Sequence, residues 1–493
     1  MFLSAVLVGG FFLSASVTAA PLLSENKMVL IDGKPRFILG LYELPAEEQR
    51  FQQAVQAGFN IFRSGDNKAD LDRIHQAHVH AWIPLGSVLD LSQDADNRTA
   101  RLLEVVNKFK NHPALLVWEG PDEVLWMIRC NKDVYFAREE LPKIKELAGQ
   151  HKELQPLARR IELLKARTLF PELDAARDEF WKKAGQSPPR PQIRFAQIQD
   201  QVRKVGQGIT DGIELVRMTD PDHLIWLNHA PRNGIAALRY FNRAVDMAGC
   251  DIYPVPPNLL VRHSDLPNVR LSCVGDYTDR MRQAAPGKAC TMVLQGFGWR
   301  DIKKLSDPGK FHPDQGRRPT FDESRFMAYD AILHGANAIF YFGTNNAKDK
   351  ISPTSSNIQS EQKNPQPEYT LDTKLWRDLL RLTRELSTLE EALVVSAYQP
   401  APQCTFEDDW FLGCKGLAWM LKKVDNDYIL FVANETYHSQ TFICSSLPQD
   451  LEGKTLYRLS TDETVTVKNG SFRDGIRSSH VHVYATSRRF ASK

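Results

Sequence analysis

Neither sign of charge dominates this chain: 62 Lys and Arg face 60 Asp and Glu across 493 residues, for a formal net charge of +2. Without a basic excess there is no field to hold a phosphate backbone, and nucleic acid is not an expected partner. Cysteine is scarce, seven in all, with no CxxC pair and no Cys/His cluster, so neither a disulfide scaffold nor a metal centre is expected. HExxH and glycine-rich phosphate loops are missing too, and no organic cofactor is implied. After the first twenty residues no run is long and apolar enough to cross a bilayer.

The beginning of the chain is different. Residues 1–21 carry no charged side chain and read as small or apolar throughout. Val17-Thr18-Ala19 fits the small-residue pattern ahead of a signal-peptidase cut, and Gly9-Gly10 makes a poor permanent span. A cleaved export signal over residues 1–19 is therefore expected in preference to a retained anchor. The mature protein would be secreted or periplasmic.

Beyond that segment, eight short and continuously apolar runs recur, at 36–42, 59–63, 81–85, 114–118, 223–228, 247–253, 289–296 and 336–343. Strands buried on both faces read this way, and helical stretches separate them. Eight such units favour a closed (β/α)8 barrel over an open doubly wound sheet, here covering residues 28–393. Two stretches exceed the minimal barrel. Residues 131–187 are charged and helical, expected as a solvated hairpin on the rim. Residues 344–373 are polar and rich in Ser, Asn, Gln and Pro, expected as a long loop after the eighth strand. From about residue 394 the pattern changes to period two with Asp-Asn and Asn-Gly turns, which predicts a small antiparallel β-sandwich over 394–493. Cys404 and Cys414 flank a hairpin there and are candidates to pair in an oxidising compartment.

Catalytic groups of such barrels lie at the carboxyl ends of the strands. Those ends supply Tyr42 and Glu43, then Arg63, then Trp118-Glu119-Gly120-Pro121-Asp122-Glu123 from the fourth strand. The fifth adds Asn228 and His229, the sixth Asp251 and Tyr253, and the seventh Gln295, Phe297 and Trp299. Carboxylates set among aromatics and amides are what glycosidic cleavage needs: one acid protonates the leaving oxygen and a second group attacks or activates water. Aromatic faces suit the apolar faces of sugars, and amides suit their hydroxyls. Glu123, Asp122 and Asp251 are among the strand-end carboxylates that could catalyse it. Tyr42, Glu43, Trp118, Asn228, His229, Tyr253, Gln295 and Trp299 are the candidates for contacting a carbohydrate. Trp118 and Glu119 are strand neighbours, so one of them faces away from the cavity.

Several of these motifs resemble the β-galactosidase-like glycoside hydrolase barrels. Val29–Phe37 with Gly40 resembles their opening turn and first strand, and His112–Trp118 followed by Asp122-Glu123 resembles their fourth. Arg318-Pro319-Thr320 with Glu323, Arg325 and Tyr329 is similar to their run into the eighth strand, and residues 472–484 to the last strands of their accessory sandwich. The resemblance implies a hydrolase with Glu123 as general acid/base and Asp122 as its neighbour. It also exposes a departure, because the nucleophilic Glu that ends the seventh strand in that family is Gln295 here. Another strand-end carboxylate (Asp251, Glu43 or Glu119) would then serve, or the Asp-Glu pair would act as in β-hexosaminidases, where an N-acetyl group of the substrate attacks. The remaining alternative is a barrel that binds glycan without cleaving it.

Overall fold

A computed structural model describes residues 22–257, 266–302, 316–350, 369–408 and 415–492. The expected signal at 1–19, Cys414 and most of the loop expected at 344–373 lie outside the described residues.

Eight parallel strands close into a barrel: β1 (Ile38–Leu41), β2 (Ile61–Arg63), β3 (His80–Pro84), β4 (Leu115–Glu119), β5 (Leu224–His229), β6 (Met247–Asp251), β7 (Ala289–Gln295) and β8 (Ala338–Phe342). Each pairs with the next, and β8 returns to β1 with Phe340 opposite Gly40. Alternation along every strand divides the apolar residues into two cores. One set, including Ile38, Ile61, Trp82, Val117, Trp226, Val293 and Phe340, fills the barrel. There Trp82 stacks on Phe340 with centroids 4.7 Å apart, and Trp226 meets the same ring edge-on at 4.9 Å. The other set, including Leu39, Phe62, Trp118, Leu227, Met292 and Tyr341, faces the surrounding helices. Gly120 follows β4 where the chain crosses closely over this outer layer; a Cβ there would come within 2.3 Å of Leu227.

The segment expected as a solvated hairpin is a folded module. Helices Leu141–Gln150, Gln155–Ala166 and Phe170–Lys183 follow directly on helix Val124–Tyr135 and a wider turn at Phe136–Glu140. They bury Phe136, Ile144, Ile161, Leu173, Phe180 and Trp181 in a core of their own. The many charges of this segment hid an apolar stripe that needs partners beyond a two-helix hairpin. At its centre Arg177 bonds Glu140 at 2.7 Å and Asp174 at 2.6 Å, with Trp181 Nε1 donating to Glu140 at 2.9 Å.

The C-terminal part has strands β9 (Gln403–Phe406), β10 (Leu417–Val424), β11 (Asp427–Asn434), β12 (Gln440–Ser445), β13 (Thr455–Arg458), β14 (Thr464–Thr466), β15 (Phe472–Ile476) and β16 (Val481–Ala485). They form a three-stranded sheet, β9-β12-β15, and a five-stranded sheet, β10-β11-β16-β13-β14, every pairing antiparallel. Helix Phe321–Leu333 docks against this unit, where Arg325 donates to the carbonyl of Val481 at 2.6 Å, while also reaching Glu385 on helix Lys374–Thr388 at 2.8 Å.

Candidate active site

The inward parity that fills the barrel continues to its carboxyl-terminal mouth. Tyr42, Arg63, Glu119, Asn228, Asp251, Gln295 and Phe342 stand on the interior side of their strands, above the Trp82–Trp226–Phe340 layer. Parity also corrects two expected sugar contacts. Trp118 points outward into the helix layer, fully buried, and its Nε1 donates to Asp220 at 2.8 Å. His229 likewise faces outward, fully buried, with Nε2 bonded to Asn242 Oδ1 at 2.8 Å. Burial lowers its pKa to about 4, so the ring stays neutral. Neither side chain reaches the mouth, because each sits one residue out of phase with an inward neighbour, Glu119 and Asn228.

The loop after β4 carries Asp122 and Glu123 and is pinned to β5 by two backbone bonds. Gly120 N donates to Trp226 O at 2.8 Å and Glu123 N to Asn228 O at 3.2 Å. Glu123 adopts a left-handed backbone with φ +49°, a conformation that costs a side-chain-bearing residue energy and is held only where surroundings dictate it. Asn228 donates Nδ2 to Asp122 Oδ1 at 3.0 Å. Asp122 is open to solvent and Glu123 half-exposed, while Glu119 and Asp251 are buried beneath them.

These carboxyls are shifted in one direction. Burial, then the charges of Glu123 and Asp122, push Asp251 well above the ordinary range. Glu123 hydrogen-bonds Asp251 and is raised as well, first by loss of water and further by Asp122. Loss of water therefore favours the protonated form at both carboxyls. Asp122 is raised too, since the surrounding walls withhold water even though its surface is open. Glu119 accepts from Arg63 Nε at 2.9 Å and Trp82 Nε1 at 3.2 Å, and its Oε1 has no partner. Burial outweighs Arg63 and pushes this carboxyl up to about 7. Arg63, against its own burial, is held more firmly charged by the same contact. The two shifts oppose each other because the burial cost falls on the enclosed partner: Glu119 is sealed, whereas Arg63 keeps 36% of its side chain in solvent.

Gln295 has no amide group left for a sugar. Its Oε1 accepts from Val255 N at 2.9 Å, and its Nε2 donates to Val255 O at 2.9 Å and Phe297 O at 3.1 Å. Glu43 similarly ties two loops together, accepting from Gly343 N at 2.6 Å and Thr344 Oγ1 at 3.0 Å. Tyr253 packs with Phe297, Trp299 and Phe342 in one aromatic wall, centroids 5.1 to 6.2 Å from the Tyr253 ring. Of these, Trp299 and Phe342 are half-exposed at the mouth. Phe342, Trp82 and Trp226 were not among the sequence candidates; the same strand parity would have found them.

Away from the mouth, Asp330, His334 and Glu435 have ligand atoms within 4.8 Å of one another, a spacing that suits a metal ion. Positive charge is already supplied there by Lys415, 2.8 Å from Glu435, and by His334, which the Asp279 and Glu435 bonds raise to about 10 despite burial. The cluster joins the barrel to the sandwich.

No family model matches the sequence, and no curated protein matches it. Among solved structures, the chain is similar to a β-galactosidase from Bacillus circulans sp. alkalophilus, with a TM-score of 0.48 and 10% identity over 92% of this chain and 99% of that one. It is also similar to a family 5 glycoside hydrolase from Bacteroides vulgatus, with a TM-score of 0.48 and 12% identity over 94% of this chain and 92% of that one. The closed order of its own eight parallel strands makes the chain a (β/α)8 barrel followed by a β-sandwich.

Proposed function

We propose that the protein is a glycoside hydrolase in which Glu123 donates a proton to the leaving glycosidic oxygen and Asp122 acts beside it. The observation that carries this reading is the stacking of carboxyls at the mouth. Asp122 is open to solvent and Glu123 half-exposed, while Asp251 is buried beneath them, and loss of water raises all three carboxyls. A carboxyl kept protonated near neutrality is what a general acid requires. Asp251 is a positioning residue here: hydrogen-bonded carboxyls are too close to straddle a glycosidic bond, which takes about 5–5.5 Å for retention. Trp299 and Phe342 supply apolar faces for a sugar ring. Export through residues 1–19 belongs to the same proposal.

A second reading of the mechanism has its own support. With Gln295 fully bonded to backbone, the carboxylate that faces substrate next to Glu123 is its chain neighbour Asp122. That geometry suits attack by an acetamido group of the substrate, with Asp122 orienting it. Among the described residues, the four carboxyls set against Arg63 also favour neutral sugars over acidic ones.

The test is sugar release from a panel of neutral, 2-acetamido and uronic glycosides by wild type and Glu123→Gln. Turnover lowered about 10²–10⁴-fold with glycan affinity retained is expected. Release restricted to 2-acetamido sugars selects the substrate-assisted mechanism. Binding without turnover in the wild type would replace the hydrolase with a glycan-binding barrel.

A further inference from the structure

We infer that Cys404 and Cys444 form a disulfide that fastens the edge strand of the sandwich. Strands β9 and β12 run antiparallel with Cys404 directly opposite Cys444. Just beyond β9, Glu407 N donates to Thr441 O at 3.0 Å, which marks that opposed pair as hydrogen-bonded. Bonded and non-bonded pairs alternate, so three places back the two cysteines occupy a non-bonded pair. At such positions Cα atoms approach to about 4.5 Å and side chains converge, within the range that a disulfide spans. Both side chains lie on the buried face, 2% and 0% exposed, in one apolar cluster with Tyr428, Phe442 and Tyr484. Their sulfurs are in direct contact. No other described cysteines share this placement: Cys250 on β6 faces Met292, and Cys290 on β7 faces Ala248.

This pairing replaces the expected pairing of Cys404 with Cys414, which rested on nearness along the chain and not on register. Strand β9 is the outer member of its sheet and contacts a single neighbouring strand within it. A covalent link there pins an edge that backbone bonds alone hold from one side. The chemistry is an exchange with a disulfide oxidant such as glutathione disulfide. One cysteine thiolate attacks the oxidant's S–S bond and releases a thiolate; the second cysteine thiolate then displaces the remaining half. Two electrons go to the oxidant, and the two thiol protons, passed through solvent, end on the released thiolates to give two glutathione thiols. Because the sulfurs are enclosed in the folded sandwich, the bond forms as the strands pair and before they are covered.

The test is to refold the full chain in a glutathione/glutathione disulfide buffer, block free thiols with iodoacetamide under denaturing conditions, and map the peptides by mass. A reducible peptide pair joining Cys404 to Cys444 is expected. Its reduction should lower the midpoint of thermal unfolding, and Cys404→Ala should free Cys444 for alkylation. Alkylation of both residues in the oxidised wild type, or linkage of Cys404 to Cys414, would overturn the inference; neither readout needs a variant to fold.

Discussion

Two groups of buried carboxyls sit at opposite ends of the same helix run, and they are solved differently. In the helical module, Glu140 and Asp174 enclose Arg177, and Trp181 donates to Glu140, so each buried charge meets an opposite charge. At the barrel mouth, Glu119 also meets a guanidinium, that of Arg63, yet its burial outweighs the pairing. There loss of water favours protonation: Asp251 and Glu123 are both raised, and Glu119 is pushed up to about 7. A buried acid matched by a cation stabilises the fold; a buried acid left to find a proton keeps that proton available for chemistry.

Breaking the matched cluster should have the largest effect. Arg177→Met leaves buried Glu140 without its counter-charge and Asp174 with only Arg194, 3.6 Å away, and unfolding free energy measured in urea should fall by about 3–5 kcal/mol. Turnover per folded molecule should hold, since the module's core lies outside the barrel. At the mouth the same logic reverses. Glu119 has a folded pKa near 7, above its unfolded value, so its contribution to stability is full below the unfolded pKa and is lost as pH rises through 7. Glu119→Gln should flatten that decline, by at most a few kcal/mol at about 1.4 kcal/mol per pKa unit. A wild type no less stable at pH 8 than at pH 5 relative to the variant would show Glu119 to be ionised throughout.

Asp251→Asn sharpens the contrast within the mouth. Asparagine cannot take up or release a proton, and its amide N–H, donated to Glu123, favours the ionised form. The alkaline limb of the pH–rate profile should move to lower pH, with turnover at neutrality down roughly tenfold, about 1.4 kcal/mol, and KM little changed. A change in KM with the profile unmoved would make Asp251 a substrate contact instead.

Much of this was legible in the sequence and some was not, for definable reasons. Continuous apolar runs gave the eight barrel strands because both faces of each are buried. The end of the fourth strand gave Asp122 and Glu123, and the sixth gave Asp251. What strand position does not say is which way a side chain points. Trp118 and His229 were read as sugar contacts although each alternates with an inward residue, and Glu119, named only as one of three alternative second carboxylates, is the one that faces the cavity. Phase could be recovered from Val117 and Trp226, but only once the barrel's closure identified them as interior. The module at 131–187 was missed because exposed charges mask an apolar stripe whose partner helices lie more than a turn away in sequence.

Trp118 offers the smallest and most local test of the same contrast. Its Nε1 and the His223 ring, with Nδ1 at 2.8 Å, converge on Asp220. Burial would raise that carboxyl, yet the His223 bond and charge, helped by Trp118, hold it below its ordinary value. It is a matched carboxylate, one strand face away from the unmatched ones. Trp118→Phe removes one neutral donor and leaves His223 in place, so stability near neutral pH should drop by about 1 kcal/mol, the net worth of one hydrogen bond. A folded pKa below the unfolded one contributes stability above the unfolded value and loses it as pH falls through the folded value. The difference between variant and wild type should therefore close in acid. Turnover and KM should stay at wild-type levels, because the ring lies outside the barrel wall; a KM raised several-fold at unchanged stability would return Trp118 to the sugar-facing side.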